Sequence, residues 1–274
     1  MAVVAACVVA VAIGLVAIWR WGGIDGRGPD GEADPIRRYL WDLNVGVSAG
    51  LMSGLLVAGP GGRLVMRLLA VTAGDGAQGR LTEADEVVGK ITLDGTIGFV
   101  IFVGLLGGMA SGVGYVLIRR WLPSGRVGGL VFGALLLVVF APRIDPVRRA
   151  NPDFDLVGPG WLALLAFGAL LLVHGMTLAA FAARFRSTLP PLAPTPRVLA
   201  RYMTLALAAL FAPLGAAAVV GAGIVWTVRR RPALVDRLRS RAALVTGRAV
   251  LGAGALVALP GFVGAVADIA GRGP

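Results

Sequence analysis

Cysteine, histidine and lysine each occur only once in this sequence, as Cys7, His174 and Lys90. A single cysteine excludes an intrachain disulfide, and no zinc-ligand spacing is present. Charged residues are also scarce, since they make up 15% of the 274 residues, whereas soluble domains carry roughly 25%. This low charge content argues against a soluble globular protein.

Long apolar runs take the place of the missing charges. Hydrophobic residues form 57% of the chain, and the mean hydropathy is +0.82. An apolar run of about 18 residues can cross the hydrocarbon layer as a helix. Such spans are predicted near residues 2–19, 43–62, 94–118, 127–143, 158–182, 199–227 and 245–268. The fourth is short, and Pro213 can kink the sixth or break it into a re-entrant pair, so six or seven crossings are expected.

The runs do not alternate apolar and polar residues, as the strands of a membrane barrel would. Because lipid offers no partner to backbone polar groups, the spans must then be helices. The predicted fold class is all-α, a polytopic membrane helical bundle. We divide the chain into an N-terminal transmembrane anchor with a Gly/Pro/Asp linker, residues 1–42, and a helical membrane core, residues 43–274. No basic residue precedes the first span, so an uncleaved helix is expected there rather than a signal peptide.

The formal net charge is +11. The basic residues lie between the apolar runs, which is typical of cytoplasmic loops and of contacts with anionic lipid headgroups, not of nucleic-acid binding. With seven spans, the two sides of the membrane would carry nearly equal numbers of them, so the orientation stays open. The loop RRRPALVDRLRSRAALVTGR has the strongest local signal and is placed in the cytoplasm. With seven spans, the charges flanking the first helix favour the opposite orientation. A re-entrant sixth segment would make the two placements compatible.

Arginine almost entirely replaces lysine, and alanine, glycine and valine are abundant. This bias is typical of GC-rich bacterial genomes, and the expected location is a bacterial inner membrane. Because the bias raises the arginine content everywhere, an individual arginine is weaker evidence for bidentate ligand recognition than usual.

Glycine recurs at intervals of four residues in three consecutive spans. Positions four apart share one helix face, and small residues there allow two helix backbones to approach closely. The pattern predicts a tightly packed core of spans two to four; the alternative is the general glycine richness of membrane helices. The predicted packing positions are Gly46, Gly50, Gly54, Gly104, Gly108, Gly112, Gly125, Gly129 and Gly133.

Arg63 and Arg67 follow the tripeptide PGG, which is predicted to interrupt the second span. They share a helix face, and the simpler interpretation is an interfacial helix whose arginines reach lipid headgroups. The alternative is a ligand site, because the next loop carries Glu83, Asp85 and Glu86. Pairing between these arginines and acids would form a gate or an anion-accepting pocket. Broken helices mark such substrate paths in many transporters. Residues 75–93 fit either a short helix or a hairpin.

His174 lies inside the fifth span. A lone histidine there either bonds a neighbouring helix or takes part in ligand binding or proton relay. Ser53 or Ser111 could face it as a nucleophile, but GLMSG and GMASG are both one residue longer than the rhomboid GxSG motif. The alternating oxygens of NPDFD, residues 151–155, fit turn chemistry better than metal binding. We therefore predict no catalytic residue, no metal and no cofactor.

Four stretches resemble a known group of proteins: GGRLVMRLLA, GRLTEADEVVGKITLDGT, a Gly-rich span ending in YVLIRRWLP, and PDFDLVGPGWLALLAF. They look like an uncharacterised group of multi-pass membrane proteins from high-GC, actinobacteria-like bacteria, over roughly residues 43–185. That group has no assigned function, so the resemblance implies no catalytic or ligand residue.

Three classes of function remain. The first is transport, or the handling of a lipid or anion, and it predicts a polar cavity joining Arg63, Arg67 and the acidic loop to His174. The second is a non-catalytic scaffold or assembly subunit in a homo-oligomer or larger membrane complex, with a solid core. The third is an intramembrane enzyme, which requires serine and histidine side chains within hydrogen-bonding distance.

Overall fold

A computed structural model describes residues 2–24, 34–90 and 92–273, and this part of the chain is almost entirely helical. It confirms the helical membrane bundle. The α-helices are α1 (Ala2–Trp21), α2 (Pro35–Ser53), α3 (Gly59–Thr72), α4 (Leu93–Phe99), α5 (Gly108–Ile118), α6 (Gly125–Leu135), α7 (Asp153–Leu156), α8 (Gly160–Arg186), α9 (Pro196–Ala200), α10 (Met203–Ala209), α11 (Ala212–Arg229), α12 (Pro232–Arg239) and α13 (Arg241–Ala270).

The second span continues past PGG instead of ending there. A π-helical turn, Gly54–Ala58, joins α2 to α3 in one helix from Pro35 to Thr72. Pro60 has no N–H, and in a regular α-helix its ring would clash with the carbonyl four residues earlier. The wider turn suspends the regular pairing at that point, so the helix continues. Similar turns, Val100–Gly107 and Leu136–Phe140, join α4 to α5 and extend α6.

The bundle has two ends. We call one the loop face; it carries residues 73–90 and 141–159, which meet where the Glu83 N–H donates to Asp153 Oδ1 at 2.8 Å. The C-terminal end of α13 lies there too, since the Gly160 N–H bonds the Arg272 carbonyl at 2.9 Å. We call the other end the basic face. It holds the end of α1, the start of α2 and the end of α8, where Arg186 pairs with Asp42 at 2.6 Å.

The predicted sixth span is broken before Pro213, and both of its ends lie on the basic face. The chain enters beside α2, where Asn44 Nδ2 donates to the Arg201 carbonyl at 3.0 Å and Ser48 bonds Thr204 at 2.6 Å. It turns at Phe211, which is not helical. It then leaves along α2, since Tyr39 donates to the Ala218 carbonyl at 3.2 Å and Arg229 pairs with Asp34 at 3.3 Å. The geometry is that of a re-entrant pair, α10 and α11.

Six helices of the described chain are long and apolar enough to cross a membrane. One of them is α11, which returns to the basic face despite its length. The shorter helix Gly125–Phe140 does connect the two faces, because its end leads into Ala141 in the apolar cluster of the loop face. Six segments therefore run from face to face: α1, α2–α3, α4–α5, α6 with its π turn, α8 and α13.

The glycines of α2 face those of α4–α5 across a backbone contact. A Cβ atom at Gly46, Gly50 or Gly54 would lie closer than 3.0 Å to a carbonyl oxygen of the other segment. Neither backbone can move aside as a side chain can, so glycine is required for this approach. The facing pairs are Gly46–Gly112, Gly50–Gly108 and Gly54–Gly104.

The glycines of α6 pack elsewhere than in a common core of spans two to four. Gly129 and Gly133 face α8, where added Cβ atoms would lie 2.7 Å from the Gly175 oxygen and 2.5 Å from the Leu171 oxygen. Gly125 lies outside this contact, at the start of α6, where its φ of 64° is a conformation that glycine adopts readily. The predicted packing glycines therefore fall into two separate helix contacts, with Gly125 in neither.

Helix α1 is part of this bundle. Cys7, Gly14 and Ala17 are buried, and a Cβ at Gly14 would meet Val57 and Thr177. The C-terminal end of α1 is held by Arg126, whose guanidinium donates to the carbonyls of Ile18 and Trp19 at 3.1 and 2.7 Å. Residues 25–33 of the predicted linker lie outside the described residues.

Candidate functional site

A cavity of about 940 Å³ extends from the loop face into the bundle and reaches His174. Its walls come from α1, α3, α4, α8 and the two loops of that face. The deep part is apolar, with Phe102, Phe167 and Leu170 among its lining residues. Its charged and titratable lining residues are Cys7, Arg63, Arg67, Glu83, Glu86, Lys90, Asp94, Asp145, Asp153 and His174.

Arg63 and Arg67 both reach this cavity from α3. Arg63 Nη2 donates to Thr96 Oγ1 at 3.2 Å, and its guanidinium lies 5.9 Å from the Phe99 ring centroid. Arg67 Nη1 donates to the Gly89 carbonyl at 2.9 Å. Among the described residues, no ion pair joins either arginine to a carboxylate. The predicted pairing with the acidic loop is thus replaced by bonds to neutral oxygens.

The loop at residues 73–90 is centred on a bridged turn. Leu81 and Val87 form an isolated antiparallel bridge, and the Thr82 N–H bonds the Glu86 carbonyl at 2.9 Å. Asp85 lies at the exposed tip with φ of 57°, a conformation that aspartate tolerates. Of the two structures that fit residues 75–93, the hairpin-like one forms around Thr82, because turn hydrogen bonds take up the Thr82 hydroxyl and backbone. Helix is limited to a 3-10 turn, Asp75–Ala77, within the described residues 75–90.

The three predicted acids of this loop have different surroundings. Glu83 is paired with Arg148, and Glu86 accepts a hydrogen bond from Thr92 at 3.2 Å. Both line the cavity, whereas Asp85 does not. The structure therefore brings Arg63, Arg67, Glu83, Glu86 and His174 to one cavity and leaves Asp85 at the loop surface.

Two acids of the second loop were not predicted as site residues. Burial raises the pKa of Asp145, although the Asn151 amide and Arg148 act in the opposite direction. Burial also raises the pKa of Asp153, more than the hydrogen bond from the Glu83 N–H lowers it. The sequence shows turn chemistry at Asp153, and the Asp153 N–H does bond Asn151 at 2.8 Å. The sequence around Asp153 does not indicate that this residue lies beside the acidic loop.

His174 lies between two serines near the middle of the bundle. Ser53 Oγ lies 2.8 Å from Nδ1 and 2.9 Å from the His174 carbonyl. Ser111 Oγ lies 2.9 Å from Nε2 and donates to the Gly108 carbonyl at 2.8 Å. These distances meet the requirement stated for an intramembrane serine enzyme. Neither serine lines the cavity, however, so a substrate there would not touch either hydroxyl.

The arrangement suits an anionic ligand with an apolar part. Guanidinium groups without carboxylate partners favour phosphate, sulfate or carboxylate oxygens, while aromatic and leucine side chains favour hydrocarbon. The wall contributed by α1 was missed from the sequence, where this helix was predicted to be a separate anchor. Only the tertiary contacts place Cys7 near Arg63.

Comparison with models of known protein families finds no match, and comparisons with curated proteins and with solved structures find none either. The resemblance to multi-pass membrane proteins of high-GC bacteria therefore remains a prediction.

Proposed function

We propose that this protein transports or otherwise handles an anionic amphiphile, such as a phospholipid, across or within the membrane. The supporting observation is the cavity, which joins an apolar interior and His174 to two arginines that have no carboxylate partner within the described residues. A phosphate group would accept hydrogen bonds from Arg63 and Arg67, and its hydrocarbon would lie along Phe102 and Leu170. A solid scaffold has no need of such a cavity.

The two ends of the bundle suggest the orientation. The basic face carries more than twice as many basic residues as the loop face, and basic residues accumulate on the cytoplasmic side. The described residues at the basic face are Arg20, Arg37, Arg38, Arg119, Arg120, Arg126, Arg184, Arg186, Arg197, Arg201, Arg229, Arg230, Arg231, Arg237, Arg239, Arg241 and Arg248. Those at or below the loop face are Arg63, Arg67, Arg80, Lys90, Arg143, Arg148, Arg149 and Arg272. We place the protein in a bacterial inner membrane with the cavity opening away from the cytoplasm.

Native mass spectrometry in mild detergent tests the ligand site. We expect the wild type to retain phosphatidylglycerol at a defined stoichiometry. The Arg63→Gln/Arg67→Gln variant should retain at least about tenfold less of this lipid, because each charged hydrogen bond contributes about 1.5–3 kcal/mol. Arg237→Gln/Arg239→Gln is the matched control; it removes the same charge from α12 on the basic face. Phosphatidylcholine and sulfate, offered separately, distinguish a lipid headgroup from a free anion.

Equal, nonspecific lipid on all three proteins would contradict the proposal and identify the arginines as interfacial anchors. The scaffold alternative would then lead. It has an observation of its own, since Gly254 and Gly261 share one face of α13 and both face open space in the described chain. Small residues on an uncovered helix face permit close contact with another membrane helix. Retention of a partner protein in place of lipid would support it.

A further inference from the structure

The cluster Ser53–His174–Ser111 lies where three segments meet closely. Ser53 ends α2, Ser111 is on α5, and His174 is on α8. Ser53 precedes Gly54 and Ser111 precedes Gly112, so the glycine contact between α2 and α4–α5 fixes the spacing of the two hydroxyls. His174 is 3% exposed and forms the deep end of the cavity. The two serines therefore hold the imidazole ring on both sides, and another part of His174 lines the cavity.

The hydrogen bonds of this cluster do not balance when the ring is neutral. The two hydroxyls make four contacts, with Nδ1, Nε2 and the carbonyls of His174 and Gly108. A neutral imidazole has one N–H and each serine has one O–H, so one contact lacks a hydrogen. An imidazolium has two N–H groups, and then all four contacts are made. The site can therefore accept a proton by turning a single hydroxyl.

Among the described residues, no hydrogen bond or ion pair joins the imidazole ring to a carboxylate. The cations that share it with His174 are Arg63, Arg67 and Lys90. The acids are Glu83, Glu86, Asp94, Asp145 and Asp153, all at the loop face, with Cys7 on α1. The helices that pack around α8 carry their charges near the ends, as with Asp42 on α2, Arg126 on α6 and Asp268 on α13; α5 contributes Tyr115. A bound anion would add a negative charge to the cavity that the residue shares.

We propose that His174 takes up a proton when the anionic ligand binds, so that anion and proton occupy the cavity together. This inference rests on the proposed function and deepens it. A hydronium ion of the aqueous phase at the cavity mouth gives up the proton and becomes water, and the proton binds the ring nitrogen that carries no hydrogen. The serine that had donated to that nitrogen turns its hydrogen to its backbone carbonyl, His174 or Gly108. Release of the ligand reverses each step. Linkage requires that each bound species raises the affinity for the other.

The single histidine makes a direct experiment practicable. Full-length protein labelled with ¹⁵N-histidine gives the signals of one ring, so solid-state NMR reports the protonation of both nitrogens without a substitution at the site. The samples are wild type in phosphatidylcholine vesicles, with and without phosphatidylglycerol, between about pH 5 and 8, the range in which histidine ordinarily titrates. We expect phosphatidylglycerol to raise the ratio of charged to neutral ring about tenfold at a fixed pH.

Arg63→Gln/Arg67→Gln in the same vesicles is the control, because it experiences the same surface potential but lacks the anion site. It should show no such rise. A wild-type ring whose protonation is identical with and without phosphatidylglycerol, while mass spectrometry shows arginine-dependent lipid binding, overturns the proton inference and leaves the proposed function standing. Absence of arginine-dependent lipid binding overturns both. Sulfate added to phosphatidylcholine vesicles shows whether a free anion alone protonates the ring, which would support the coupling and assign it to the anion.

Discussion

Arg63 and Arg67 bond neutral oxygens, whereas two other arginines of the bundle pair with carboxylates. Arg186 is buried against Asp42 at 2.6 Å and lies 4.6 Å from the Trp41 ring centroid, and Arg148 pairs with Glu83. Arg126 also donates to carbonyls, but it does not line the cavity. Bonds to a hydroxyl and a carbonyl leave the charge of Arg63 and Arg67 available, which is the property an anion site needs.

Asp153 joins the two loops of the loop face and is itself a titratable part of their contact. Its Oδ1 accepts from the Glu83 N–H, and burial raises its pKa. An unfolded aspartate titrates near about 3.9. The folded carboxyl therefore still holds its proton at a pH where the unfolded one has lost it. Its contribution to stability is full below the unfolded pKa and decreases as the pH rises through the folded pKa.

We predict that Asp153→Asn removes this pH dependence. Asparagine keeps the acceptor oxygen and loses the charge, so the thermal midpoint of the wild type should fall relative to the variant as the pH rises from about 4. Thermal unfolding in detergent across that range measures it. Asp85→Asn is the control, since it removes a carboxyl from the exposed tip of the neighbouring loop. If the thermal midpoints of wild type and Asp153→Asn change equally with pH, the pH dependence does not come from Asp153.

At the scale of elements, glycine decides how closely α2 approaches α4–α5. The spacing of four residues predicts which face of each helix is small, and Gly46, Gly50 and Gly54 do share one face. The spacing cannot identify the partner, because every small face is compatible with every other. The structure pairs Gly129 and Gly133 with α8 instead, and it places Gly125 outside the contact.

Gly50→Ala should destabilise the bundle by about 1–3 kcal/mol, as other overpacking substitutions do. The new methyl group would meet the Gly108 carbonyl and the Gly112 backbone, which cannot rotate away. Gly252→Ala on α13 is the matched control, because nothing lies within 4 Å of its added Cβ. Unfolding by denaturing detergent, compared between the two variants, measures the difference. Equal losses would mean that the contact tolerates a methyl group.

At the scale of the whole molecule, the α10–α11 pair decides the topology. A helix of 18 residues with hydropathy 1.4 has the length and composition of a span. Its return to the basic face depends on Asp34, just before α2, and on Tyr39, Asn44 and Ser48 of α2, which bond both ends of the pair. With the pair re-entrant, the start of α1 and the end of α13 lie on the same face.

We predict six crossings with residues 230–240 in the cytoplasm and both the N-terminal end of α1 and the C-terminal end of α13 outside, because basic residues remain on the cytoplasmic side. Alkaline phosphatase fused after residue 273 should be active, and fused between α12 and α13 it should be inactive. Green fluorescent protein at the same two sites should give the opposite pattern. An inactive phosphatase at the C-terminal site would point to seven crossings or to the reverse orientation.

The sequence by itself determined the chemical class of this protein and much of its local structure. Apolar runs too long for a soluble core require spanning helices, and Pro213 marks the break between α10 and α11. Glycine spacing marks the small faces, and the pattern of Arg63 and Arg67 marks one helix side. All of these properties depend on neighbours within a few turns of the same helix, and local sequence therefore carries them.

Only the tertiary structure decided which faces meet. It brought Cys7 of α1 and His174 of α8 to the cavity of Arg63, placed Ser53 and Ser111 on opposite sides of one ring, and returned α11 to the basic face. In a membrane, helix pairing is directed by close packing and hydrogen bonds rather than by hydrophobicity, which is alike on every lipid-compatible face. Those interactions join residues far apart in the chain, and their pairing is therefore not written in any local pattern.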